Sequence, residues 1–258
     1  MTIRLLIAIV FCGCAPGQEF RMEFVPIAPG EFLMGCAPDD SPNLPDGIWS
    51  LCPPESKPQH PVRITKPFEL GKFEVTQAQW VAVMGSNPSH FEGADHPVEQ
   101  ITWDDVHEFL LKLNARRDGY RYRLPAEVEW EYAARAGATD QFGGGSLRKS
   151  AWSGEGIGTI PESPGGTHPV GTKAPSAWGT FDMIGNVAEW VEDWYSDSYY
   201  KVSPVDDPKG PAEEKYHVAR GGSWFSNARY TRVWNRYETV PVLKRRDVGF
   251  RIVRDPAR

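Results

Sequence analysis

Turn-forming residues punctuate this chain from end to end and limit it to short elements joined by many bends. Its 258 residues include 25 glycines and 23 prolines. Proline removes a backbone donor and glycine weakens helices, which argues against a purely helical fold. The same chain holds 10 Trp, 12 Phe and 9 Tyr. Each ring buries a large area, so a few can anchor a core that short elements wrap. Together these features predict one α+β domain, low in regular secondary structure, over residues 22–256. The formal net charge of -6 argues against a nucleic-acid partner, because such domains carry a basic surplus to neutralise phosphates.

Residues 1–19 read as an export signal. Arg4 supplies one positive charge, Leu5 to Phe11 form a short apolar run, and Gly13 is a small residue before Cys14. Spanning a bilayer takes about 20 apolar residues, so the run suits a signal peptide and not a membrane helix. Cys14 is a candidate for the lipid-modified cysteine of a bacterial lipoprotein, on an equal footing with ordinary cleavage nearby, since Phe11 stands where Leu is expected. A buried N-terminal strand is the remaining alternative. The expected location is exported: periplasmic, cell-surface or secreted, with membrane attachment only through a lipid on Cys14.

Cys12 and Cys14 belong to that signal, which leaves Cys36 and Cys52 in one stretch dense in Pro and Asp. In an oxidising compartment this pair is expected to form a disulfide. Two separate buried thiols are the alternative. Zinc is disfavoured, since no cysteine is left to complete its ligands.

Along the chain, residues 22–35 predict two short strands broken at Pro29-Gly30, and Val62 to Val75 predicts two more. Residues 36–60 read as a loop held by the disulfide. A helix is predicted from Thr76, where Thr76 and Gln79 make a capping box, to Gly85. A second follows Thr102, with Val106, Phe109, Leu110 and Leu113 at helical spacing. A third spans about Ala126 to Ala136, between Pro125 and Gly137. Residues 137–180 look irregular, and Glu189 to Tyr195, His217 to Trp224 and Val248 to Val253 suit short strands.

Seven strings then line up in order: PGEFLMG (29–35), GKFEVTQAQWVAVMGSNPSHF (71–91), HPVEQITWDD (96–105), YRLPAEVEWEYAARAGA (122–138), THPVGTKAPSAWGTFDMIGNVAEWVEDWY (167–195), RGGSW (220–224) and GFRIVR (249–254). The series closely resembles the formylglycine-generating enzyme, or sulfatase-modifying factor, family. The resemblance implies an irregular fold related to C-type lectins, with bound calcium. Active members oxidise a cysteine of a client sulfatase to formylglycine, using oxygen and copper held between two cysteines.

Here the positions matching those cysteines are Ser226 and Thr231, and Ala188 stands where relatives carry a tryptophan lining the oxygen pocket. Copper is therefore not expected, since Cu(I) favours soft thiolates over hydroxyls. What the strip keeps is Arg220, Ser223, Trp224, Tyr230 and Arg236 among further rings and cations. Planar guanidinium groups and rings suit a peptide or protein client of sulfatase type, or an acidic small ligand. Core rings and structural salt bridges are the alternative for each of them.

The resemblance also implies a structural calcium site on the side chain of Asp182, the carbonyls of Gly185 and Val187, and the carboxylate of Glu189. Hard oxygens of this kind suit calcium; an ordinary turn before a strand is the alternative. His60, His90, His96, His107, His168 and His217 show no HxH or HxxxH spacing, and no nucleophile motif appears. A variable-type receptor of the same lectin-like fold is disfavoured, because residues 225–247 contain little Asn. The expected function is a calcium-stabilised binding module without copper oxidase activity. The alternative is an oxidoreductase that makes formylglycine by a non-copper or modified route.

Overall fold

The computed structural model describes residues 21–37, 52–154 and 165–257. The export signal, Cys14 and most of the 36–60 loop lie outside them. The element order begins β1 (Phe24–Ile27), β2 (Gly30–Met34), β3 (His60–Ile64), β4 (Phe68–Gly71), α1 (Gln77–Met84), α2 (Trp103–Asn114), β5 (Tyr120–Arg123) and α3 (Glu127–Arg135). It continues α4 (Leu147–Ser150), β6 (Ala188–Trp194), β7 (His217–Arg220), β8 (Arg236–Thr239), β9 (Val248–Phe250) and β10 (Val253–Pro256).

The strands form three small sheets, in the orders β1-β4-β10-β5, β2-β3 and β8-β7-β6-β9. Pairing is antiparallel except between β6 and β9. Cys36 and Cys52 are joined by a disulfide, with Cα atoms 5.8 Å apart.

Local chemistry sets the helix ends. The Thr76 hydroxyl accepts from Gln79 N while the Gln79 side chain accepts from Thr76 N, and Gly85 ends α1 in the left-handed region at φ 88°. Thr102 and Asp105 make the same reciprocal cap for α2, which places acids where the helix dipole favours them. The rings of α1 and α2 then pack: Trp80 stacks on Phe109 at 5.3 Å, and Phe109 meets Phe250 edge-on at 5.4 Å. A second cluster gathers around Trp130 and Val191, so the sheet containing β6 has core on both sides.

Three strand expectations change. Val248 to Val253 is two strands in different sheets, broken where Arg251 turns inward and is fully buried. The strand from His217 stops at Arg220, because Gly221 and Gly222 take φ 89° and 71°, values that glycine adopts without steric cost. Trp224 therefore lies in a turn. β5 and β8 were not expected, since their strings YRYR and RYET carry charge where a buried strand carries aliphatics.

Candidate functional site

The site is built on α3. Glu127 and Glu131 lie one helical turn apart, both buried, and each meets an arginine from the C-terminal strands. Arg236 grips Glu127 through Nε (2.6 Å) and NH2 (2.8 Å), and donates through NH1 to the carbonyls of Glu55 and Ser196. Arg220 pairs with Glu131, donates to the carbonyls of Val233, Trp234 and Asn235, and lies over the Trp130 ring. Arg135 closes the group on Glu131 and on Gly35 O. Burial pushes the Glu127 carboxyl up, but Arg236 and Arg220 outweigh it and hold it below the usual carboxylate range.

Arg220 and Arg236 therefore do not line a pocket, which corrects the sequence expectation. They are interior clips that fix the backbone of the segment above them. Their guanidinium groups donate to five carbonyls as well as two carboxylates, with only Arg220 Nε left unpartnered among the described residues, and a long polar side chain is buried at tolerable cost only when most of its donors are used in this way.

On this base the chain folds a tight turn after Gly222. A Cβ at Gly222 would lie 2.7 Å from Tyr230 O, so only glycine lets the two backbones approach. Ser226 N donates to Ser223 O, and Ser223 N donates to Ser226 Oγ (3.1 Å). The Ser223 hydroxyl accepts from Phe225 N (3.2 Å) and donates to Asp247 Oδ2 (3.4 Å), while Asp247 is held by both Nε and NH2 of Arg245. Thr231 is fully buried and its hydroxyl donates to the carbonyls of Ser226 and Asn227.

The structure thus brings Ser223, Ser226 and Thr231 into one turn. Trp224 sits on its edge, half-buried, with its indole N–H donating to Arg246 O and its ring edge-on to Phe91 at 5.1 Å. Phe225 is 70% exposed and Tyr230 48% exposed, the latter beneath the Arg229 guanidinium. His90 stacks edge-on to Phe91 and meets Arg246.

Copper does not fit this turn. The two hydroxyls that replace the family's thiolates are committed to the turn's own backbone, and both are hard donors. The second constellation gives a different answer. Asp182 is buried at φ 53°, its Oδ2 accepts from Gly171 N, and its Oδ1 lacks a hydrogen-bond partner among the described residues. Glu189 accepts from Trp130 Nε1 (2.7 Å) and from the Nε and NH2 of Arg251 (both 2.6 Å), which leaves room at Oε1 for one further partner.

Glu74, which the sequence reading passed over, completes the cluster by accepting from Asn186 Nδ2 and Val187 N. Three buried carboxylates thus face one buried guanidinium. Burial first, then the Asp182 and Glu189 charges, push Glu74 well above its ordinary range, and burial pushes Asp182 up to about 6. The surplus negative charge and the open Asp182 Oδ1 fit a hard cation such as calcium in kind. Among the described residues no three His, Cys, Asp or Glu side chains converge as a ready ligand set, so the carbonyls of Gly185 and Val187 would have to make up the number.

Two further groups escaped the sequence reading. Asp247 holds Ser223, and Glu99 lies buried beneath the His90–Phe91 backbone. For Glu99, as for Glu74, the available signal was an acid beside apolar residues, as in Phe73-Glu74-Val75 and Pro97-Val98-Glu99; Asp247 follows Lys244-Arg245-Arg246 and carried no such signal.

The chain belongs to the sulfatase-modifying factor enzyme 1-like domain family, whose sequence profile matches residues 15–256. It is 34% identical over 197 residues to the formylglycine-generating enzyme of Streptomyces coelicolor, covering 68% of this chain and 60% of that enzyme. It is 31% identical over 209 residues to the chaperone protein LppX of Paenibacillus barcinonensis, covering 62% and 70%. Among solved structures, PvdO from Pseudomonas aeruginosa superposes with a TM-score of 0.76 at 27% identity, covering 94% of this chain and all of that one. Treponema denticola variable protein 1 gives 0.75 at 30% identity, covering 89% and 94%. The scaffold alone therefore does not set this chain apart from proteins of the variable kind; the Asn-poor loop is a feature of sequence only.

Proposed function

We propose that this chain is an exported binding module of the sulfatase-modifying factor family, without copper oxidase activity, that holds a peptide or protein client or an acidic small ligand on the Ser223 turn. The observation that carries the reading is the state of Ser226 and Thr231. Where the resemblance implies two thiolates, there are two hydroxyls bonded to their own turn, while Trp224, Phe225, Tyr230 and Arg229 stand around them. Rings and guanidinium groups supply contact area and planar donors, which a client surface can use without any redox step. That a relative bears the name of a chaperone protein is compatible with a binding role. The run before Cys14 supports export, with a lipid on that cysteine as the membrane attachment.

Calcium belongs to the same proposal. It would be held by Asp182 with the carbonyls of Gly185 and Val187, and Glu189 would contribute through its charge beside Arg251. There it would neutralise the buried acids and fix the loop that carries Asn186, whose carbonyl accepts from Trp224 N. Calcium at a hundred times its dissociation constant would stabilise by about 2.7 kcal/mol. A melting temperature that is unchanged between calcium and a chelator removes this part of the reading.

The function is tested by coexpressing the protein with a sulfatase that carries a Cys-type motif and weighing the client's motif peptide. The expected result is an unmodified thiol. Conversion of that thiol to the aldehyde establishes instead the oxidoreductase reading, by a route that does not need the missing cysteines.

A further inference from the structure

Glu99 is fully buried beneath the segment that carries His90 and Phe91. One carboxyl oxygen, Oε1, accepts from His90 N (2.5 Å) and from Phe91 N (2.8 Å), and Glu99 N donates to Ser89 Oγ. The segment is thereby pinned at three successive residues. The other oxygen, Oε2, is buried and has no hydrogen-bond partner among the described residues. Phe91 in turn meets Trp224 edge-on, so the clamp positions one wall of the Ser223 turn.

The charged groups around Glu99 come from two elements. Arg246 and Asp247 face it from the segment before β9, with Asp247 held by Arg245, and His90 lies on the clamped segment itself. A buried carboxylate with one unpartnered oxygen beside a second carboxylate is costly even with Arg246 nearby. A neutral carboxyl keeps its acceptor for the two amides and needs no counter-charge.

We propose that Glu99 is a proton-linked positioning residue: protonated, it holds the Phe91–Trp224 wall closed, and its ionisation favours release of that wall to water. Burial, opposed by the two amide bonds and by Arg246, raises the Glu99 pKa from 4.5 to about 7. The sign follows from linkage. The closed state keeps its proton up to about pH 7, whereas the opened state, with Glu99 in water, loses it near 4.5. Opening therefore releases a proton between those values and becomes up to tenfold more favourable per pH unit, then levels off above about 7. The closed wall is most stable in acid and least stable above neutrality. The functional meaning rests on the Ser223 turn being a binding face; the clamp itself does not.

The test is hydrogen exchange of the His90 and Phe91 amides by NMR between pH 5 and pH 8, with intrinsic exchange rates divided out. The wild type should lose protection by roughly 40-fold between pH 5 and 7 and then level off. Glu99→Gln, a neutral mimic of the protonated acid, should keep the acid-like protection at every pH. Protection that is flat in the wild type, or equally pH-dependent in Glu99→Gln, overturns the proposal. If Glu99→Gln does not fold, direct carboxyl titration of Glu99 by carbon-13 NMR decides: a midpoint near neutrality is expected, and one near 4.5 overturns it. No client is used, so failure here leaves the binding reading intact, and failure of the coexpression test leaves the clamp intact.

Discussion

Two arginine-rich regions lie within one short stretch of sequence, and they do opposite things. Arg220 and Arg236 point down onto α3, where every donor that reaches Glu127 or Glu131 sits in the dry interior. Arg229, at the top of the turn, lies exposed over the ring of an exposed tyrosine. The contrast shows that a guanidinium group here is drawn into the interior where a buried carboxylate meets it, on α3 for Arg220 and Arg236 and on β6 for Arg251, and at Arg229 stays at the surface, where none does among the described residues. Residue type alone does not decide.

The largest expected effect comes from breaking the lower region. Glu131→Ala leaves Arg220 and Arg135 without their shared carboxylate, and removing one partner of a buried pair costs about 3–5 kcal/mol. Denaturant unfolding would show it; a loss under 1 kcal/mol would mean that the buried network is incidental. Next comes the disulfide. Replacing Cys36 and Cys52 by Ser should cost roughly 3 kcal/mol, because the cross-link restricts the unfolded chain. Thr102→Ala removes half of the α2 cap and should cost about 1 kcal/mol. The smallest effect belongs to the upper region: Phe225→Ala should change stability by no more than about 0.5 kcal/mol, as expected of an exposed side chain. A large loss there would make the ring part of the core and remove it from the proposed binding face.

Much of this fold was legible beforehand, for identifiable reasons. Thr76, Gln79 and Gly85 mark both ends of α1 through local bonds that depend on near neighbours only. Thr102 and the Val106, Phe109, Leu110 and Leu113 spacing did the same for α2. The strand breaks at Arg251 and Gly221 were not legible. They depend on a partner 62 residues away in the one case, Glu189, and on close backbone approach in the other.

The site divides the same way. Ser226 and Thr231 could be matched to the family's two cysteine positions by resemblance, but the turn that joins them to Ser223 could not, since the strand was expected to run on to Trp224. Nor could the burial of Arg220 and Arg236 be read, because α3 supplies their partners from about 90 and 109 residues away. Glu74 and Glu99 were missed for a related reason. An acid in an apolar run signals burial, but only the assembled fold shows which donors meet it.

If the family scaffold is kept here without copper chemistry, as proposed above, the folded protein binds no Cu(I), and a Cu(I) titration reads that directly. The purified protein would compete with a colorimetric Cu(I) chelator under anaerobic, reducing conditions. With only Ser226 and Thr231 at the matching positions, it should leave the chelator fully loaded. Withdrawal of one equivalent of Cu(I) by the folded protein, abolished by Ser226→Ala or Thr231→Ala, would mean that the turn is a copper site.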